Sequence, residues 1–334
     1  MVNCSQCKQP AVIFVRYSGR HLCAKHFCAF LEQRVAKEVR SMGRLRRGSK
    51  VAIAISGGKD STVMLRLLRR FFHPRSGIEL EAVIVDEGIR GYRAGGIAVA
   101  RRECKRLGVP LTIVSFKELA GCTLDGAARR MPGTVPCTLC GVWRRQALNR
   151  AAKGMGASKL ALGHNLNDMA GSVLMNVCRA DIERLARMAP HEKVQPGLVP
   201  RILPLRWIPE EEVKLYSYLK GLSVLEAECP YATLAERGRF VRFLAEMEDA
   251  RPGTRHSILG FWEGIRACVQ ASHPPSSLKG CARCGEPTMT RLCQGCALAE
   301  KAKSRSAKKN DAIRTAKARK GRMKKGGKGR GKGL

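Results

Sequence analysis

Acidic and aromatic residues are scarce in this 334-residue chain: 27 Asp and Glu stand against 62 Lys and Arg, and Phe, Trp and Tyr together make up 5%. The formal charge is +35 and the isoelectric point near 10.3, a field that favours polyanionic partners. Residues 301–334 hold 15 Lys and Arg against one Asp, a contribution of +14 that leaves +21 to the rest, so the excess is not confined to a tail. A basic body with few aromatics suits a structured nucleic acid gripped mainly through its phosphates. The sequence also lacks any apolar run near the ~20 residues needed to cross a bilayer, and its N-terminus lacks the charged-then-apolar pattern of a secretory signal. A soluble, cytoplasmic protein with no membrane partner is expected, although the Lys/Arg tail also imitates a nuclear address.

Cysteine is plentiful, at 15 residues, but most fall in short Cys-x2-Cys pairs, which points to metal rather than disulfides. Cys4-x2-Cys7 and, fifteen residues later, Cys23-x2-His26 supply four ligands for a structural zinc ion; His21 and Cys28 compete by spacing alone, and His26 is preferred. Cys281-x2-Cys284 and Cys293-x2-Cys296 form a zinc-ribbon pattern for a second ion.

Between these modules, the β-like run Val51 to Ile55 leads into Ser56-Gly57-Gly58-Lys59-Asp60-Ser61, and a helical pattern runs from Thr62 to Phe72. Glycines let the backbone fold around an anion, successive N–H groups and the helix N-terminus face it, and Lys59 adds a mobile positive charge. The expected ligand is a nucleotide. The spacing is not that of a Walker A loop; the segment resembles the SGGxDS signature of PP-loop ATP pyrophosphatases, which hold ATP by its β- and γ-phosphates and release pyrophosphate.

Further segments alternate in the same way: Leu80 to Val85, Ile97 to Leu107, Leu111 to Phe116, Thr138 to Lys153, Lys159 to Leu162 and Asp168 to Arg179. Strand–helix alternation predicts an α/β fold with a doubly wound parallel sheet, flanked here by the N- and C-terminal zinc modules. Ligands then sit beyond the carboxyl ends of strands, where the phosphate loop, Asp86-Glu87-Gly88 and Gly163-His164-Asn165-Leu166-Asn167-Asp168 should converge. The expected organisation is a zinc module over 1–30, a helical linker over 31–49 with Leu31, Val35, Val39 and Met42 on one stripe, and a catalytic domain over 50–250. A linking helix over 251–280 uses Ile258, Trp262, Ile265 and Val269; a ribbon over 281–299 and a basic, disordered, RNA-holding tail over 300–334 follow. The proline-rich stretch Pro190 to Pro209 reads as a surface excursion, and Glu210 to Leu222 as another helix.

Eight cysteines remain outside the two zinc patterns. Cys104, Cys122, Cys178 and Cys268 stand alone and read as packing residues. Cys137-x2-Cys140 opens a helix and has a single attractive partner, Cys229 in Glu228-Cys229-Pro230-Tyr231. Three thiolates suit either a 4Fe-4S cluster with one open iron or a persulfide and disulfide chemistry activated by the helix N-terminus and Arg144 or Arg145. The residues alone leave the two at parity.

Together these motifs resemble the tRNA uridine 2-sulfurtransferases, the PP-loop group that includes archaeal and eukaryotic cytoplasmic tRNA 2-thiolation enzymes and the bacterial enzyme for T-loop 5-methyluridine. The match runs from Cys4 to Cys296. It includes Asp86-Glu87-Gly88-Ile89-x-Gly91-Tyr92-Arg93, Pro136-Cys137-x2-Cys140-Gly141 with Arg144-Arg145, Gly163-His164-Asn165, Leu174-Met175-Asn176, Arg179-x-Asp181-Ile182, Pro204-Leu205-Arg206 and Glu228-Cys229-Pro230-Tyr231-Ala232. The resemblance implies that Cys137, Cys140 and Cys229 ligate a 4Fe-4S cluster and that Ala54, Asp60, Asp86, Arg144, Gly163 and Asp168 line the ATP pocket. Asn167 departs from the pattern, which usually has Asp there; this removes one carboxylate from magnesium and ATP handling and leaves Asp60 and Asp168, with Lys59 neutralising pyrophosphate.

The implied reaction adenylates uridine O2 with magnesium-bound ATP and replaces that oxygen by sulfur, giving 2-thiouridine. Lys59 and Asp60 serve the first step, and Cys137, Cys140 and Cys229 serve the second. Implied partners are tRNA, a sulfur donor (a ubiquitin-like thiocarboxylate carrier or sulfide) and a second copy of the chain. Three rival readings fit less well: an ATP-dependent amidating enzyme, which leaves the three cysteines without purpose; cytidine 2-thiolation, against which the terminal zinc knuckles speak; and a non-enzymatic zinc RNA-binding protein, which leaves the intact phosphate loop without purpose.

Overall fold

The computed structural model describes residues 2–304 apart from 44, 192–193, 235 and 275; the basic tail expected over 300–334 lies mostly outside the described residues. The chain opens with an antiparallel pair, β1 (Ile13–Val15) and β2 (Arg20–Leu22), followed by α1 (Ala24–Ser41). The central body runs β3 (Lys50–Ala54), α2 (Lys59–Phe71), β4 (Glu79–Asp86), α3 (Arg93–Leu107), β5 (Leu111–Ser115), α4 (Phe116–Ala120), α5 (Leu124–Arg130), α6 (Pro136–Gly154), β6 (Lys159–Ala161), α7 (Leu166–Cys178), α8 (Ile182–Ala186), β7 (Arg201–Ile202) and α9 (Glu210–Leu219). Two long helices, α10 (Arg237–Ala250) and α11 (Thr254–Ser272), precede a small ribbon built on β8 (Lys279–Gly280) and β9 (Pro287–Thr288).

Five strands form one parallel sheet in the order β5-β4-β3-β6-β7. The order reverses between β3 and β6, so the loops after these two neighbours splay apart and leave a crevice at their carboxyl ends. The phosphate loop follows β3 and the Gly163-His164 segment follows β6, which brings both motifs to that crevice.

Alternation along the strands divides the core into two layers. Val51, Ile53 and Ile84 face α1, α2, α9 and α11 through Leu31, Val35, Met64, Leu68, Tyr216 and Trp262. Ala52, Val83, Val85 and Leu160 face α4 to α6 through Phe116, Leu124, Leu139 and Trp143. Each fully buried Leu, Ile or Phe in these layers contributes about 1.5–3 kcal/mol over exposure. The stripe Leu31, Val35, Val39 and Met42 is buried, so α1 is part of the core layer.

Three sequence expectations are corrected. The proline-rich stretch Pro190 to Pro209 is not a surface excursion: it supplies the edge strand β7, and Val199, Ile202, Leu203, Leu205 and Ile208 are buried. Cys104 and Cys122 do pack inside, but Cys178 and Cys268 are exposed thiols. In α11, Trp262 is buried and Ile258 and Val269 pack partly against the core as expected, whereas Ile265 faces outward.

Candidate active site and metal sites

The loop Ser56 to Ser61 closes by its own hydroxyls. Ser61 Oγ accepts from Ser56 N at 3.0 Å and donates to Gly58 O at 3.0 Å, while Thr62 Oγ1 donates to the same carbonyl. No side chain caps the N-terminus of α2, so its first N–H groups stay available to an anion. Gly57 has φ +85°, and a Cβ there would stand 2.5 Å from Gly96 O, so backbone meets backbone and only glycine fits. Gly163 packs similarly: a Cβ would lie 3.1 Å from Ser61 N and Cα.

Lys59 Nζ lies 2.6 Å from Glu210 Oε1 and 3.2 Å from Asp60 Oδ2. Burial lowers its pKa, but Asp60 and Glu210 outweigh that and raise it, so the group is an ammonium held at the loop mouth. Burial raises the Asp60 carboxyl; Lys59 and a hydrogen bond from Asn165 Nδ2 at 2.9 Å oppose the rise, and Asp168 adds to it. Asn165 and Asp168 cap α7 reciprocally, and Asp168 Oδ1 also accepts from Arg237 at 3.2 Å. Asn167 turns away from this pair: its Oδ1 accepts from Arg255 Nη1 at 2.8 Å and from Glu210 N at 3.2 Å. At this position the chain uses an acceptor oxygen, which asparagine and aspartate both provide.

After β4, Asp86 Oδ1 accepts from Gly88 N and shapes the turn. Glu87, quoted in the sequence within Asp86-Glu87-Gly88 but given no role there, is the buried pivot of the crevice. Its carboxylate pairs with Arg93 on one oxygen and with Arg144 at 2.8 Å on the other. Arg93 donates to Ser56 O at 3.1 Å, and Arg144 donates to Cys140 Sγ at 3.0 Å. A continuous chain of charged groups thus joins the phosphate loop to the cysteine pair. The available signal was a carboxylate directly beyond a strand end in a chain poor in acids.

Cys137 and Cys140 stand one turn apart at the start of α6, where Pro136 fixes the first helical position and no side chain caps the end. Cys137 Sγ donates to Tyr231 O at 3.2 Å, and Cys229 packs against the core cluster that includes Cys140, so the loop between α9 and α10 is brought to the helix start. Burial, partly offset by Arg144, pushes Cys140 up to about 11; burial and then Cys229 raise Cys137. Among the described residues, only two groups gather ligand atoms within 4.8 Å, and these three thiols are not one of them. Three nearby thiols spread wider than the ligands of one ion fit a multinuclear cluster, in which each thiolate takes a separate iron.

The two groups that do gather are Cys4, Cys7, Cys23 and His26, and Cys281, Cys284, Cys293 and Cys296. Ligand separations of 3.3–3.8 Å (Cys4 Sγ to His26 Nδ1 3.3 Å, Cys7 to Cys23 3.8 Å, Cys284 to Cys293 3.6 Å) approach the ~3.8 Å edge of a tetrahedron with 2.3 Å metal–sulfur bonds. His21 instead stacks on Phe14, and Cys28 lies within α1. Burial raises the Cys4 and Cys281 thiols, but backbone hydrogen bonds from Cys23 and Gln6 in the first site and from Cys293, Arg283 and Cys284 in the second lower each to about 6. Each quartet therefore holds one thiol ready as thiolate.

The ribbon docks on the cysteine-bearing helix. Trp143 Nε1 donates to Gly295 O at 3.0 Å, Gln146 Nε2 reaches Cys284 and Cys293 Sγ at 3.4 and 3.5 Å, and Asn149 Nδ2 donates to Glu286 at 3.0 Å. No helix among the described residues is long and apolar enough to cross a membrane.

A phosphate loop and a strand-end carboxylate cluster at the switch point of a parallel sheet define an ATP-binding domain of the PP-loop type, and the family described as PP-loop domain matches residues 30–244. Residues 3–28 match the N-terminal LIM domain of the 2-thiouridine synthetase TtuA. The chain is 35% identical to tRNA 2-thiolation protein NcsA of Haloferax volcanii (90% of this chain, 98% of that protein). It is 40% identical to cytoplasmic tRNA 2-thiolation protein 1 of Bos taurus (89% and 86%). Among solved structures, the U34-tRNA thiolase NcsA from Methanococcus maripaludis with its [4Fe-4S] cluster superposes with a TM-score of 0.77 at 33% identity, covering 90% of this chain and 96% of that one. The chain belongs to the tRNA 2-thiolation family of PP-loop proteins.

Proposed function

We propose that this protein is an ATP-dependent tRNA uridine 2-sulfurtransferase acting in the cytoplasm. The observation that supports the reading is the chain Ser56–Arg93–Glu87–Arg144–Cys140, which links the phosphate-loop segment to Cys140. Uridine O2 attacks the α-phosphorus of ATP, the bond to the β-phosphate oxygen breaks, and pyrophosphate leaves. A sulfide-level nucleophile then attacks C2, the C2–O bond breaks, and AMP departs with that oxygen.

In the first step the free N–H groups of α2 and the Lys59 ammonium receive the β- and γ-phosphates. Asp60 and Asp168 offer carboxylates to magnesium, with Asn165 fixing Asp60. Ala54, Ser56, Asp86 and Gly163 shape the walls, and Arg144 stands where charge develops between the two half-reactions. Cys137, Cys140 and Cys229 would hold a 4Fe-4S cluster, which supplies an open iron able to carry sulfide from a thiocarboxylate carrier or from free sulfide. The two quartets hold zinc and, with the basic body, grip tRNA. The target base must leave its stack to reach the crevice.

The test pairs pyrophosphate release with thionucleoside formation in Cys229→Ser. The expected result is tRNA-dependent pyrophosphate release at near wild-type ATP affinity with no thiouridine. Full thiolation by the variant contradicts the three-cysteine role.

A further inference from the structure

The chain between α9 and α10 carries Cys229 and forms neither helix nor strand from Leu222 to Cys229. It is fastened at two places. At the first, Leu225 N donates to Gly57 O at 2.8 Å, so the segment is bonded directly to the phosphate loop. The Leu225 side chain lies over the start of α3, where a Cβ on Gly95 would stand 3.0 Å from its Cδ1 and one on Gly96 3.7 Å from its Cδ2. Glu226, Ala227 and Glu228 are then exposed, and among the described residues no hydrogen bond holds them. At the second place, Ala232 N donates to Cys229 O at 2.8 Å and closes the turn Cys229-Pro230-Tyr231-Ala232, with proline where its fixed φ favours a turn. Cys229 and Tyr231 therefore belong to one closed turn.

Tyr231 ties that turn to the site on two sides. Its carbonyl accepts from Cys137 Sγ at 3.2 Å, and its phenol donates to Asp125 Oδ1 at 2.8 Å. Asp125, in the first turn of α5, accepts with its other oxygen from Arg90 N at 3.0 Å, and the adjacent Leu124 N donates to Glu87 O at 2.7 Å. The phenol is thus joined through Asp125 to the loop after β4, from which Glu87 holds Arg144 beside Cys140. The Cys137 contact uses the thiol proton, which a metal-bound thiolate does not have, so the phenol–carboxylate bond is the tie that persists once the cysteines ligate.

We propose that Tyr231, held by Asp125, is a positioning residue that presents Cys229 to Cys137 and Cys140. The inference rests on the three-cysteine reading under the proposed function and deepens it. The anchor at Leu225 is separated from Cys229 by an exposed segment and cannot by itself fix the thiol. The anchor at Tyr231, just past the thiol, restricts where Sγ can stand before anything is bound, so its ordering is met on folding rather than at ligation.

The test uses the full-length protein prepared without iron. Alkylation of each cysteine is followed by peptide mass spectrometry in wild type, Tyr231→Phe, Asp125→Ala, the double variant, and Tyr218→Phe, a control at a tyrosine of α9 that is 82% exposed. Cys104 and Cys122 are buried and serve as internal references for the integrity of the fold. Tyr231→Phe should alkylate Cys229 about threefold to tenfold faster than wild type, the loss expected for one hydrogen bond, with Cys104 and Cys122 unchanged. The double variant should be no faster than the quicker single variant, because both changes break the same bond. After loading with iron and sulfide, Tyr231→Phe should lose its visible cluster absorbance to an iron chelator faster than wild type by a similar factor. The proposal is overturned if Cys229 in Tyr231→Phe reacts at the wild-type rate, if Cys104 and Cys122 accelerate with it, if Tyr218→Phe matches it, or if the two single effects multiply in the double variant. Failure of the wild-type protein to take up a cluster would instead overturn the three-cysteine reading, while the alkylation rates would still decide the role of Tyr231.

Discussion

Glu87 holds Arg144 at 2.8 Å, and Arg144 in turn lies 3.0 Å from Cys140 Sγ, so one buried carboxylate orients the guanidinium that faces the cysteine pair. Glu87 also pairs with buried Arg93. Removing the carboxylate leaves Arg93 buried without its counter-charge and frees Arg144. Glu87→Ala should lower stability by about 3–5 kcal/mol, the usual penalty for breaking a buried pair, read as a shift in the denaturant midpoint. A shift no larger than that of an exposed-site substitution would show that the pair carries no such weight.

The Lys59–Glu210 contact at 2.6 Å sets up a competition. ATP phosphates must take the ammonium from Glu210, which stands at the N-terminus of α9. Both groups retain solvent contact, so the pair is worth about 1 kcal/mol or less. Glu210→Gln should tighten ATP binding about threefold to fivefold, measured by calorimetry with a non-hydrolysable analogue. Weaker binding would mean that Glu210 positions Lys59 rather than competing for it.

His256 sits beneath Arg34, with Nε2 3.2 Å from the guanidinium, and burial followed by that charge lowers its pKa to about 4. An unfolded histidine titrates near 6.5. Between those values the unfolded chain takes up a proton that the folded chain refuses, so this contribution to stability is whole above pH 6.5 and is lost as the pH falls toward 4. The loss should reach roughly 1–2 kcal/mol at pH 5. His256→Gln should show a smaller drop in unfolding midpoint from pH 7 to pH 5 than wild type in zinc-saturated buffer. Equal drops would assign the acid sensitivity to other groups.

If the ribbon quartet holds zinc as proposed, removing the ion should be felt in α6, because Trp143 donates its indole N–H to the ribbon at Gly295 and Gln146 donates to two of the ribbon thiols. Chelation, or Cys293→Ser, should shift tryptophan emission to the red, and Trp143→Phe should abolish most of that shift. An unchanged spectrum would mean that the ribbon stays docked without metal.

Features set by short-range spacing were legible in the sequence. The phosphate loop, both Cys-x2 quartets and four of the five sheet strands follow from local pattern, and His26 rather than His21 or Cys28 completes the first quartet. What was not legible depends on distant partners. Strand β7 is two residues long, too short to alternate, and is held by pairing to β6. Helix α10 buries only Leu244 and Glu248 and so lacks a strong apolar stripe. The contact of Glu210 with Lys59 spans 151 residues, and that of Glu87 with Arg144 joins two separate motifs 57 residues apart, so neither pairing can be read from local spacing. Cys178 and Cys268 were misplaced because an isolated cysteine carries no periodic signal of which way its helix faces.

The most direct test is nucleoside mass spectrometry of tRNA after anaerobic incubation with the protein, iron, ATP, magnesium and sulfide. The account predicts a uridine that has gained one sulfur in place of oxygen, dependent on ATP, with fragment mapping placing it in the tRNA. Pyrophosphate release without any thionucleoside, under conditions where the cluster is loaded and sulfide is supplied, would contradict it.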